Sequence, residues 1–154
     1  MRRASPATSE SRRLTRWAVF TDPEIAHVGS TKDEALGRGL DIRVTRLPMA
    51  RVDRARVAGA SDGFIETDHS RTGKLYGVTI VGPQAAEWAN QWIEPITNTR
   101  RLAGLAFVPT IYPTLGSSSA VVAYEWSDAA LRRGVLGRIA RLAGRARLRF
   151  ARNP

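Results

Sequence analysis

Tyr112 and Thr114 stand in the segment P-T-I-Y-P-T-L-G-S-S-S, residues 109–119, which is bracketed by Pro109 and Pro113 and closes on Ser117, Ser118 and Ser119. A phenol and several hydroxyls gathered in one turn could donate hydrogen bonds, serve as nucleophiles or cap a following helix. The acid–base options are narrow, because a phenol titrates near pH ~10 and is a poor proton shuttle at neutrality. The serines lack a G-x-S-x-G elbow, and the sequence offers no evident orienting partner for His27 or His69. A serine-nucleophile triad is therefore unsupported, and a helix cap is the expected role of these hydroxyls. His27 and His69 lie far apart with no acidic cluster beside them, so no metal site is expected. Cysteine is absent, which excludes a disulfide, a thiolate metal site, a cysteine nucleophile and a dithiol redox pair within these residues.

The elements that must position this turn can be read from periodicity. WAVF, residues 17–20, is a short strand candidate stopped by Asp22-Pro23, and EIAHVG follows with alternating apolar positions. STKDEALGRG reads as a short helix with Ser30 or Thr31 at its start, Glu34 completing a capping box with Thr31, and Gly39 ending it. DIRVTRLPM has strand alternation, with Ile42, Val44 and Leu47 expected to face the core and Pro48 ending it. ARVDRARVAG is charge-dense and reads as a surface connection. GFIETD and KLYGVTIVG, joined by a polar turn, form an antiparallel hairpin whose second strand is expected to be buried on both faces. In QAAEWANQWIEPITNTRRLAG, Ala85, Trp88, Ala89, Trp92, Ile93 and Ile96 recur at helical spacing, with Pro95 expected to end or kink the helix near Glu94. A further apolar turn, LAGLAFV, leads into the Pro-bracketed segment, and SSSAVVAYEWSDAALRR is helical by pattern. The fold class is α+β, a small antiparallel sheet with helices packed against it.

Composition agrees with one domain around one core: 154 residues, 43% hydrophobic and 25% charged. The net charge of +10 is unevenly placed. Residues 1–16 carry +4 and residues 132–154 carry +8, while 17–131 carry −2. The expected organisation is a disordered basic leader over 1–16, a folded body over 17–131 and a basic amphipathic C-terminal helix or tail over 132–154. Basic tails of this kind bind anions weakly and salt-dependently, and no nucleic-acid motif accompanies them, so no specific nucleic acid is expected. No apolar run is long enough to span a membrane.

Several phrases in order carry a resemblance: VFTDPEIAHVG, VTRLPMARVDRA, DGFIETD, LYGVTIVGP and IYPTL. Together, from about Trp17 to about Leu131, they resemble the C-terminal dimerisation domain of the pyridine nucleotide-disulfide oxidoreductases, the family of glutathione reductase, dihydrolipoamide dehydrogenase and mercuric reductase. The YPT form, with YEW after it, looks most like the mercuric-reductase-like branch. The resemblance implies a domain that follows FAD and NAD(P) domains on a longer chain and forms a two-fold interface, with its turn reaching the partner subunit's flavin and redox cysteines. In many members that turn carries a His-Pro-Thr motif and a Glu five positions after the His. Tyr112 stands at the His position, followed by Pro113 and Thr114, and Ser117 stands at the Glu position. A phenol and a serine hydroxyl do not supply that pair's acid–base chemistry, so no catalytic residue is assigned.

The body has no G-x-G-x-x-G opening a helix after a strand, so no cofactor is expected to be bound by this chain alone, although FAD and NAD(P) serve the family. The resemblance implies a homodimer, a cytoplasmic setting and a part in cell redox homeostasis, with Trp88 and Trp92 as interface candidates whose alternative place is the core. The expected function is that of the dimerisation domain, not catalytic alone. The alternative is a subunit that completes the active site of a separately encoded FAD/NAD(P) oxidoreductase, with Tyr112, Pro113 and Thr114 on the flavin side.

Overall fold

Alternating apolar positions in five short segments produce five strands, and a computed structural model describes them within residues 14–134. The strands are β1 (Arg16–Val19), β2 (Glu24–Gly29), β3 (Arg43–Pro48), β4 (Phe64–His69) and β5 (Leu75–Gly82). They form one antiparallel sheet in the order β1-β2-β5-β4-β3, with the expected β4–β5 hairpin at its middle. The helices are α1 (Lys32–Gly37), α2 (Asp53–Val57), α3 (Ala85–Ala89), α4 (Ile93–Thr97), α5 (Leu102–Leu105) and α6 (Ser118–Arg133). The architecture is α+β. Of the expected leader and tail, residues 1–13 and 135–154 lie outside the described residues.

One face of the sheet supplies the core. Cross-strand register puts Ala26, Val28, Val78, Ile80, Ile65 and Leu47 on that face, where they meet Met49, Val52, Ala89, Trp92, Leu102 and Val122. Burying such side chains stabilises the fold by about 25 cal/mol per Å² removed from water. β5 is central, yet its second face is only half covered, with Thr79 and Val81 partly exposed, so full burial on both faces does not hold. Val44 is a further correction. Once Leu47 points into the core, period two sends Thr45 with it and Val44 to the opposite face, where it is exposed. Ile42 precedes the strand and is half-buried.

Two connections differ from the sequence expectation. ARVDRARVAG is structured: a 3-10 turn at Met49–Arg51 runs into α2, and Met49, Val52 and Ala55 are buried. The charged residues between them occupy the wet side, which is what masked the apolar spacing. The helix over 85–97 breaks earlier than Pro95, through a 3-10 turn at Asn90–Trp92. Pro95 has no N–H to offer the Gln91 carbonyl, so the ladder lapses there. The chain then restarts as α4, whose first turn tolerates a proline. The capping box of α1 is present, with Glu34 N–H donating to Thr31 Oγ1 at 3.2 Å and Thr31 N–H donating to Glu34 Oε2 at 2.9 Å.

Candidate functional site

The turn lies between α5 and α6, and hydroxyl chemistry shapes it. Thr114 Oγ1 donates to the Ile111 carbonyl at 2.7 Å and accepts from Ser117 N–H at 3.1 Å, closing the segment on itself. Ser117 Oγ donates to the Thr114 carbonyl at 2.7 Å, Ser119 Oγ to the Gly116 carbonyl at 3.0 Å, and Ser118 Oγ to the Leu115 carbonyl. The serines therefore bond backward to the turn's carbonyls and do not cap α6 through their side chains. Ser117, at the N-cap position, has helical backbone angles (φ −63°, ψ −16°), and no side-chain cap bond forms. Exposed Gln91 donates through Nε2 to the Gly116 carbonyl at 3.1 Å, tying the turn's exit to the segment between α3 and α4.

The tip of the turn projects. Ile111 is 82% and Tyr112 69% exposed, and the Tyr112–Pro113 bond is cis. Tyr112 Oη donates to Asp53 Oδ2 at 2.6 Å, and this bond, reinforced by the carboxylate's charge, raises the phenol's pKa above its ordinary value. Asp53 begins α2 and also faces Arg56, 3.6 Å from its other oxygen. Sequence reading missed Asp53. It lies 59 residues from Tyr112, and no local pattern links them. Beside the turn, a cleft of about 270 Å³ is lined by Trp92, Glu94, Arg100, Val108, Thr110 and Ser119, and Glu94 occupies Arg100 through bonds of 2.9 and 2.7 Å to Oε1.

The remaining singled-out residues lie elsewhere. Trp92 is fully buried, so it has no surface to offer a partner. Trp88 is half-buried, with Nε1–H donating to the Pro83 carbonyl at 3.0 Å. His27 and His69 are both buried in the sheet on different strands. His27 bonds Thr79 Oγ1 and stacks on Trp17, while His69 bonds Thr45 Oγ1 and meets the edge of Trp126. Among the described residues no three His, Asp or Glu side chains converge as a metal cluster would.

The arrangement is a hydroxyl-locked turn presented on a helix-backed antiparallel sheet, and comparison with known proteins gives it a family. The family model for the pyridine nucleotide-disulphide oxidoreductase dimerisation domain matches residues 15–121. The chain belongs to that family. Within the pyridine nucleotide-disulphide oxidoreductases, a dihydrolipoyl dehydrogenase of Halobacterium salinarum is 38% identical over 103 residues, 66% of this chain and 22% of the relative. One from Chlamydia muridarum is 30% identical over 114 residues, 73% of this chain and 23% of the relative. Among solved structures, LpdA of Mycobacterium tuberculosis aligns with a TM-score of 0.67 at 27% identity, covering 79% of this chain and 26% of that one. The HOCl-induced flavoprotein disulfide reductase RclA of Escherichia coli shares the fold, with a TM-score of 0.68 at 22% identity over 78% of this chain and 28% of its own. The chain thus spans between a fifth and a quarter of each of these two dihydrolipoyl dehydrogenases. The family match begins at Thr15, just ahead of β1, and ends within α6 at Val121, short of Leu131.

This oxidoreductase family uses FAD and NAD(P), and the described residues do not fit either group. A dinucleotide cradle needs parallel strands joined by a helix whose N-terminus meets the pyrophosphate. Every pairing in the sheet here is antiparallel.

Proposed function

We propose that this dimerisation domain pairs with a second copy of itself through the 107–116 turn and the adjoining stripe of α6. The observation that carries the reading is where apolar surface stays uncovered. Phe107, Val108, Ile111 and Tyr112 project from the turn, and Val121, Tyr124 and Leu131 share one side of α6 at helical spacing. Aromatic and aliphatic side chains in such a cluster are the usual anchors of protein interfaces. Half-buried Trp88, on α3, is a separate candidate for that contact. Sedimentation at micromolar concentration tests the reading: a dimer is expected, and a strictly monomeric folded chain overturns it.

A second reading has its own support in the exposed tip of the turn, where Ile111 and Tyr112 stand free of the domain's own core. In it, the domain docks on a separately encoded FAD/NAD(P)-binding subunit, with Tyr112, Pro113 and Thr114 turned toward the flavin. The assembly works in the cytoplasm and in cell redox homeostasis. Purification from the native cell without any bound flavin overturns this second reading.

A further inference from the structure

Tyr112 is mostly exposed, yet its hydroxyl hydrogen is committed to a residue 59 positions away. At 2.6 Å, the contact with Asp53 has the length of a charge-assisted O–H···O⁻ bond. The turn has three kinds of tether among the described residues. Thr114 and the serines close it internally, Gln91 holds its exit at Gly116, and Asp53 reaches its projecting tip. Although α2 is only five residues long, it is seated by buried Val52 and Ala55 on either side of Asp53, so the carboxylate is presented from a fixed base. Ser117 stands where the resemblance places an acid, but its hydroxyl is spent on the Thr114 carbonyl.

We propose that Asp53 is the positioning residue of this turn: its carboxylate supplies, through space from α2, the acid missing at Ser117. It holds Tyr112 with the hydroxyl hydrogen pointing inward and the acceptor side of Oη facing out. The group that such a phenol receives is a hydrogen-bond donor, an amide, an ammonium or a neutral thiol, because the carboxylate behind it disfavours an approaching anion. Arg56 faces Asp53 Oδ1 at 3.6 Å, so it tempers the charge without displacing the phenol from Oδ2. The inference rests on the turn being the contact surface, but the Asp53–Tyr112 unit is complete within one chain and can be tested apart from pairing.

The experiment is an ultraviolet titration of the phenols. The sequence has three tyrosines, Tyr76, Tyr112 and Tyr124, so subtracting the Tyr112→Phe curve isolates Tyr112. Asp53→Asn keeps an acceptor and removes the charge, and its own double variant with Tyr112→Phe gives the matching difference curve. The Tyr112 midpoint is expected to lie lower in Asp53→Asn than in the wild type. Equal midpoints overturn the proposal. Should Asp53→Asn fail to fold by circular dichroism, hydroxyl-proton exchange in the wild-type chain decides. Slow exchange at Tyr112 supports the pair, and exchange as fast as a free phenol's overturns it. A monomeric chain with the expected titration shift would remove the pairing function and leave Asp53's role standing. A dimer without the shift would do the reverse.

Discussion

Asp68 is carried into the sheet between Val44 of β3 and Gly77 of β5, and one carboxylate oxygen, Oδ1, has no hydrogen-bond partner among the described residues. Burial, with Glu66 as a like charge nearby and Lys32 opposing, raises its pKa from 3.8 to about 6. The sign of the consequence follows from linkage. The folded state holds this proton more tightly than the unfolded state, so the ionised carboxylate weakens the fold above pH ~6. That penalty fades as pH falls through ~6 toward ~4. Its size is on the order of 3 kcal/mol at neutral pH. His27 acts the other way in an overlapping window. Its pKa is lowered, chiefly by burial, so protonating it as pH falls costs stability. The raw pH profile of the wild type therefore mixes two opposed slopes, and a difference between variants separates them. Asp68→Asn keeps the shape and removes the charge. It is expected to raise the melting temperature at pH ~7.5 and to lose most of that advantage by pH ~4. A wild-type-minus-variant difference that stays flat across that range would show that this carboxylate is not the source.

Gly29 ends β2 opposite Gly77 of β5, and the element-level contact there is tighter than a side chain allows. A Cβ on Gly77 would lie 2.2 Å from the Ser30 carbonyl oxygen, and one on Gly29 would lie 2.3 Å from the Tyr76 carbonyl oxygen. Gly77→Ala must push two backbones apart in the middle of the sheet, so a loss of more than about 2 kcal/mol is expected by urea denaturation. Gly37→Ala, in α1 with open space around it, is the control and should be neutral or stabilising by up to about 1 kcal/mol. A Gly77→Ala variant as stable as the control would refute the close approach. EIAHVG and GVTIVGP, parts of two phrases that carry the family resemblance, are the two sides of this antiparallel pairing. The hairpin, the capping box and the 3.6-residue stripe of α6 were legible because each is encoded within a few neighbouring residues. The inward side of β3 was not, since Ile42, Val44 and Leu47 cannot share one face at period two and only the packing of Leu47 decides between them. α2 hid behind its arginines. The fate of Ser117 to Ser119 was set by competition between the helix's N–H groups and the turn's carbonyls, and the link from Tyr112 to Asp53 exists only after the sheet and α2 have formed.

At the scale of the whole molecule, the apolar residues fall into two populations that mutation can tell apart. Trp92, Leu47, Ile65 and Ile80 are sealed between the sheet and the helices, where truncation leaves a cavity and Trp92→Ala should cost about 3–5 kcal/mol. Ile111 and Tyr124, 82% and 68% exposed, contribute little to the single chain, and replacing either by Glu should change monomer stability by no more than about 0.5 kcal/mol. In a symmetric dimer each such substitution places two charges in the contact, so pairing should weaken by about thirtyfold or more. Melting measured over a range of protein concentrations reads both quantities at once, because coupling to dimerisation makes the midpoint rise with concentration. The wild type should show that rise. Ile111→Glu and Tyr124→Glu should flatten it while converging with the wild type at high dilution. If the two variants instead melt well below the wild type at every dilution, the stripe is part of the chain's own core. If all three chains share one concentration dependence, the surface that joins the copies lies elsewhere, and the edge and open face of the sheet, with Trp17, Val19 and Val44, become the next place to cut.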